Sequence, residues 1–377
     1  MFAASSFHEL ASARGDLLVS LYLPLHIGET GRREDPLRFK TLLTEARVLA
    51  REEGHAARAI DAACEPLEHL IKEDGFWQDG GAGIALFADD GRVHAHRAAV
   101  AYDALAFVKD RFAVRPLLRD RIARARWFVL ALSGNAARLF ECTTTREREV
   151  PLNLDLDRLA SERERGQLQM HGGAPAGGGR RATQFHGQGG PSDRHESESL
   201  RALRAIDVAL ARATGGSHAP LVLAGVAALV QSFRGITRWP TVLEPAIEGN
   251  PDRLDARSLR AASESIAMGA ADAPRAKAIE RMCAPVRASE LVTETAAVLA
   301  AAHAGKVATL LVRDGAPLWG SFDPSTGVAQ VRESRKARDD DLMDLAVSYV
   351  VPAGGHAHAV PAATIPGNAP MAALLRA

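Results

Sequence analysis

The residues of this chain best suited to chemistry lie close together: His186, Gly187, Gln188, Gly189, Gly190, Pro191, Ser192 and Arg194 fall within nine positions. Glycines at this density let a backbone approach a ligand closely. The helical pattern that follows, Glu196 to Ala213, presents free N–H groups at its N-terminus, where an anion is favoured. Phosphate is the natural partner of such a string. A second concentration of charge precedes it. Seven basic residues, Lys109, Arg111, Arg115, Arg119, Arg121, Arg124 and Arg126, stand against Asp110 and Asp120 alone. A run of this kind either contacts phosphates or forms a solvated helix face. Arg180 and Arg181 add basic charge to the glycine-rich segment, which favours an RNA partner.

Other constellations are poorer. His94 and His96 alternate on one expected strand and His356 and His358 on another, but no carboxylate or cysteine has matching spacing, so no metal site is expected. Cys64, Cys142 and Cys283 lie far apart without a Cys-x-x-Cys pair, and read as buried thiols rather than zinc ligands or a disulfide framework. Phosphate-loop, nucleophile-elbow and His-Glu-x-x-His patterns are absent from the sequence, and no cofactor is called for.

The elements that position these residues read as α/β throughout. Leu17 to Leu23 is an alternating apolar run ended by Pro24, and Pro36 opens a helix to Glu53. After a second helix, Ala56 to Lys72, the segments 84–87 and 92–100 flank Asp89-Asp90-Gly91 as a hairpin. Trp127–Leu132 and Ala137–Cys142 flank a Ser133-Gly134-Asn135 turn in the same way. From Ser161 to His195 there are nine glycines and almost no large apolar residues, so this is a long loop. The helix Glu196 to Ala213, with Asp193 and Glu196 at capping-box spacing, carries Leu200, Leu203, Ile206 and Leu210 on one face. A strand at 221–224, a helix at 226–233 and a strand at 241–243 complete a mixed or parallel sheet. After Gly249-Asn250-Pro251 come alanine-rich helices at 254–268 and 276–302, broken near Pro285. Strands at 307–312, 328–331 and 356–360, a helix at 341–349 and a terminal helix at 371–376 follow. The expected domains are 1–118, 119–250 with the loop 161–195, and 251–377.

Composition agrees with several ordinary cores. The 377 residues are 47% hydrophobic and 24% charged, outside the range of disordered chains. Basic and acidic residues number 46 each, so any electrostatic site is local. The longest apolar stretch, Leu221 to Val230, is about half a bilayer span. A cytoplasmic protein without membrane or DNA partners is expected.

The string His186-Gly187-Gln188-Gly189-Gly190-Pro191-Ser192 with Arg194 resembles the conserved loop of archaeal and eukaryotic class-I release factors, a Gly-Gly-Gln tip in a His-Gly-x-Gly-Gly-Gln-Ser context followed by an arginine. Asp35–Leu43, Phe76-Trp77, Ala131-Leu132-Ser133 with Arg138-Leu139-Phe140, and Ala372–Arg376 are similar to the bacterial branch, the bacterial archaeo-eukaryotic release factor family, whose relatives include Pelota. The resemblance implies a divergent N-terminal domain, a middle domain with a ribonuclease-H-like mixed sheet and helices carrying the loop, and a C-terminal α/β/α sandwich similar to kink-turn-binding ribosomal proteins. It also implies the ribosome as partner, at its rRNA and peptidyl-tRNA region, and a translational GTPase as a candidate second partner.

In release factors the loop's glutamine helps water attack the peptidyl-tRNA ester. Aligned on His-Gly and Gly-Gly, this chain has Pro191 at that position, with neither a side-chain amide nor a backbone N–H. The first expectation is therefore a ribosome-associated factor whose loop binds without catalysing, in hibernation, protection or rescue. A shifted alignment makes Gln188 the catalytic candidate of a peptidyl-tRNA hydrolase that rescues stalled ribosomes. A third reading is a regulatory scaffold off the ribosome, with the loop a linker.

Overall fold

The computed structural model describes residues 7–26, 28–73, 75–77, 81–89, 91–123, 125–134, 136–154, 191–284 and 290–376. Within these, residues 29–32, 121–123 and 191–199 are described by their backbone. The expected α/β class is what the structure has: among the described residues four sheets are interleaved with helices. Two compact units divide the chain, one of residues 1–124 and 272–377, the other of residues 125–271.

The first unit begins with α1 (Phe7–Ser12), β1 (Leu18–Pro24), α2 (Glu29–Glu52), α3 (Ala57–Ile71), β2 (Gly83–Asp89), β3 (Arg92–Ala98), β4 (Leu105–Lys109) and α4 (Leu117–Ala123). The strands form an antiparallel sheet in the order β3-β2-β1-β4. Gly91, at φ 80°, makes the expected hairpin turn between β2 and β3. One face of β1, through Val19, Leu21 and Leu23, packs on Phe39 and Leu43 of α2 and Leu67 of α3. The opposite face, through Tyr22 and Phe87, shares a core with Leu310, Met343 and Val347 from the far end of the chain. Both faces of β1 are therefore covered. Even Ser20 is buried, its hydroxyl accepting from the Ala113 N–H at 3.0 Å. Helix α2 also starts earlier than expected, and Pro36 sits inside it rather than at its head.

The second unit contains β5 (Trp127–Leu132), β6 (Ala137–Cys142), β7 (Glu147–Val150), α5 (Pro191–Ala213), β8 (Leu221–Gly225), α6 (Ala227–Arg234) and β9 (Ile247–Glu248). Its sheet, β7-β6-β5-β8-β9, is mixed: the β7-β6-β5 meander is antiparallel, and β5-β8-β9 is parallel. All of β5 and β8 is buried, as suits central strands covered on both faces. One face packs on Leu203, Ile206 and Leu210 of α5 and Phe233 of α6, and the other on Leu259 of α7 (Ala256–Cys283). Trp127, fully buried, donates its indole N–H to Ser263 Oγ of α7 at 2.8 Å, fixing that helix against β5.

The chain then completes the first unit with β10 (Leu291–Val292), α8 (Thr295–His303), β11 (Val307–Arg313), β12 (Trp319–Asp323), β13 (Val328–Val331), β14 (Asp340–Asp341), α9 (Leu342–Val350), β15 (His356–Val360) and β16 (Met371–Leu375). The orders are β10-β16-β11-β15 and β13-β12-β14. The expected terminal helix is the strand β16, wedged antiparallel between β10 and β11. Alanine and leucine favour a helix, but Met371, Ala372, Ala373 and Leu374 are all buried in the sheet, and tertiary burial overrides that preference. The helices expected at 254–268 and 276–302 are corrected likewise: α7 runs through Pro274, and α8 is a separate helix.

Candidate functional site

The loop tip is the leading candidate. His186, Gly187, Gln188, Gly189 and Gly190, with Arg180 and Arg181, lie outside the described residues. Pro191, Ser192 and Arg194 form the first turn of α5, which begins at Pro191 rather than at Glu196 as expected. Proline suits a helix start, because its φ is already helical and its missing N–H would have no partner there. Pro191, expected at the position of the release-factor glutamine, is the first residue of α5.

That helix is held firmly at its far end. Asp207, 6% exposed, accepts from Thr237 Oγ1 at 2.6 Å and from the Arg238 backbone N–H at 3.2 Å and Nε at 3.3 Å. Trp239 donates its indole N–H to the Ala219 carbonyl at 2.9 Å, and its ring packs edge-on against Phe128 of β5. The Asp207 contacts tie α5 to residues 237–238, and Trp239 ties that segment to β5.

The basic run does not form one surface. Lys109 ends β4 and donates to Glu53 at 2.7 Å. Arg111 is buried, 3.0 Å from Asp340. Arg115, 7% exposed, reaches Asp341 through Nε at 2.8 Å and donates to the Gly315 carbonyl at 3.0 and 3.1 Å and the Arg313 carbonyl at 3.3 Å. The backbone N–H groups of Val114 and Arg115 both donate to Asp344 Oδ1 at 2.7 Å. Of the expected phosphate ligands, Arg115 is therefore an interior residue: its donors are consumed inside the unit. Neither a phosphate patch nor a solvated helix face describes residues 109–115.

The remaining members of the patch differ. Arg119 is 37% exposed and pairs with Asp314 at 3.2 Å. Arg126 is 53% exposed, pairs with Glu141 at 3.0 Å and donates to Ser217 Oγ at 3.2 Å. Arg121 lies on α4 with its side chain outside the described set, as is all of Arg124. What the sequence reading missed was the acidic half of the network, Asp340, Asp341 and Asp344. The run Asp339-Asp340-Asp341 carries the charge that Arg111 and Arg115 need, but nothing local says the two segments meet.

Burial sets the electrostatics of this cluster. Desolvation lowers the Arg111 pKa, but Asp340 and Asp344 more than restore it, and the net shift is upward. For Asp344, burial dominates and pushes the carboxyl up to about 6, against the pull of Arg111. Elsewhere, His96 lies 2.8 Å from the buried Asp120, and His94 lies 3.8 Å from Asp89. No group of three or more metal-ligating residues occurs among the described residues. Cys64 and Cys142 are buried, and burial pushes their thiols up to about 11 and about 12. Cys283 is exposed, unlike the expectation for it. Among the described residues no helix is long and apolar enough to cross a membrane.

Residues 126–306 match the family model described as bacterial archaeo-eukaryotic release factor family 3, and the resemblance read from the loop residues is shown over that region. The match covers residues 161–195, the segment expected to be a loop. No curated protein sequence matches. Among solved structures, the archaeal translation termination factor aRF1 is similar at 15% identity over 98% of this chain and 95% of its own, with a TM-score of 0.24. Archaeal Pelota, in a model of its ribosome-bound state with ABCE1, is similar at 14% identity over 76% of this chain and 72% of its own, with a TM-score of 0.36. Archaeoglobus fulgidus Pelota is similar at 13% identity over 78% and 79%, with a TM-score of 0.26. TM-scores this low leave these three likenesses distant.

Proposed function

We propose that this chain, release-factor-related over residues 126–306, is a ribosome-associated factor that occupies the tRNA-binding region and places its loop toward the peptidyl transferase centre without catalysing peptide release. The observation that carries this reading is Pro191. It stands where the release-factor alignment requires glutamine, and it opens α5. Ester hydrolysis needs a group that orients water and donors that stabilise the developing oxyanion. Proline supplies neither an amide nor an N–H.

The features that serve reach and binding persist around it. The sequence has Gly187, Gly189 and Gly190 and, in the first turn of α5, Arg194, and Asp207 anchors that helix. Occupancy or protection of ribosomes, as in hibernation or rescue, is the role this set suits. Sedimentation of the protein with ribosomes from growing and starved cells tests it. Co-migration with 70S particles or a subunit at low salt is expected, and absence from every ribosomal fraction defeats the proposal.

A second reading has one specific residue in its favour. Gln188 lies three positions before Pro191, and a shifted tip would let it orient water as a peptidyl-tRNA hydrolase. That alignment loses the correspondence at Gly189, Gly190, Ser192 and Arg194, so the binding role is preferred.

A further inference from the structure

The sheet-facing side of α5 is settled by Leu203, Ile206 and Leu210. Its opposite side carries a second pattern. Arg201, Arg204, Val208 and Arg212 recur at spacings of three and four, which at about 100° per residue places them within an arc of roughly 80°. All four are exposed. Beside this stripe runs a groove of about 570 Å³, walled on the far side by Pro151, Leu152 and Leu154 and on the near side by Arg204, Val208 and Arg212. Among the described residues no carboxylate lines it. The one acidic residue of helix positions 200–213, Asp207, points into the unit and is committed to Thr237 and Arg238. Arg201, Arg204 and Arg212 thus share one exposed helix face.

We infer that Arg201, Arg204 and Arg212 form an RNA-contacting face that grips the phosphates of structured RNA beside the groove. This rests on the ribosome-associated reading and names a contact surface within it. The helical rise separates Arg204 from Arg212 by about 12 Å and Arg201 from Arg212 by about 16 Å. A stripe of that length spans several consecutive phosphates of one duplex strand. Guanidinium forks bind phosphate in a bidentate manner that point-charge ammonium groups do not. Among the described residues the groove walls contain no aromatic ring, so no base-stacking platform is offered and single-stranded, base-reading recognition is disfavoured. An acidic protein partner is less well served. Protein interfaces draw much of their energy from buried aromatic anchors, and among the described residues the groove and the stripe hold no aromatic side chain.

The test uses the full chain and a labelled RNA duplex of about 20 base pairs, with binding followed by fluorescence anisotropy between about 50 and 200 mM salt. The variant Arg201→Ala/Arg204→Ala/Arg212→Ala removes three phosphate ligands and should flatten the slope of log affinity against log salt by about 2.7. The wild-type affinity should therefore fall about 40-fold more than the variant's over that range. The triple lysine variant, with its charge kept, should retain the slope while binding more weakly. Equal slopes for wild type and the alanine variant, with matching melting curves, overturn the inference. So does polyglutamate that binds the wild type as tightly as the duplex does. If the slope falls as expected but no ribosomal fraction holds the protein, the RNA face stands and the ribosome reading fails. If ribosome binding persists with an unchanged slope, the reverse holds.

Discussion

Arg111 Nε and Asp344 Oδ2 stand 3.9 Å apart, and among the described residues both atoms are buried without a hydrogen-bond partner. At that separation the attraction is Coulombic only, because a hydrogen bond needs about 3 Å. The other oxygen of Asp344 is fully occupied by the Val114 and Arg115 N–H groups. One carboxylate thus joins residues 111–115 to α9, and it does so at a desolvation cost that its cation only partly offsets.

The pH dependence follows with a definite sign. The Asp344 carboxyl rises from an ordinary value of 3.8 to about 6 in the folded protein. The folded state therefore holds this proton more tightly than the unfolded chain. Its contribution to stability is greatest below about pH 4, falls as pH rises from about 4 to 6, and is flat above; the full change is on the order of 3 kcal/mol. Other carboxylates titrate over the same range, so the measurement is the difference in unfolding free energy between wild type and Asp344→Asn. Asparagine keeps an oxygen for the two N–H groups while removing the titration. Wild-type stability minus that of the variant should fall by that amount between pH 4 and 6 and then stay level. A constant difference would show that Asp344 does not titrate there.

Arg115→Ala should destabilise the protein by roughly 3–5 kcal/mol, since it strands the buried Asp341 and the carbonyls of Arg313 and Gly315 without this donor. Urea unfolding measures this. Binding to RNA by the folded variant should match wild type, because the side chain is spent internally. Weakened RNA binding without loss of stability would return Arg115 to the surface patch where its sequence context placed it.

The contacts of Asp344 and Arg115 show what the sequence could and could not disclose. Patterns confined to a few residues were legible: the hairpin at Gly91, the strand at Trp127–Leu132 and the apolar face of α5 each follow from local spacing. Pairings distant along the chain were not. Asp344 meets Arg115 across 229 positions, and Leu291 meets Leu374, so neither the charge network nor β16 announces itself locally. Of the candidate site, the helix that follows the loop was found but its start was not, because a capping box at Asp193 competed with a proline equally able to begin it.

The cysteines give a test of burial. Cys64 and Cys142 have thiols pushed up to about 11 and about 12, which leaves almost no thiolate at neutral pH, while Cys283 is exposed. A maleimide reagent should label Cys283 alone in the native protein, and all three after denaturation, as read by mass spectrometry of peptides. Rapid native labelling at Cys142 would mean that its strand opens far more readily than its burial implies.

Pro191 decides between the binding and hydrolytic readings. If the loop lacks catalysis because proline removed the glutamine amide and the N–H together, Pro191→Gln restores both, at a modest cost to the start of α5. Wild-type protein added to ribosomes carrying peptidyl-tRNA should release no peptide above background, and Pro191→Gln should release it. Gln188→Ala should leave both results unchanged. The hydrolase reading expects the opposite pattern: release by wild type, abolished in Gln188→Ala, with Pro191→Gln giving no gain. Binding of each variant to ribosomes, measured in parallel, separates a failure of chemistry from a failure to arrive. A loop that binds equally well in all three proteins but releases peptide only in Pro191→Gln would assign the missing activity to that one position.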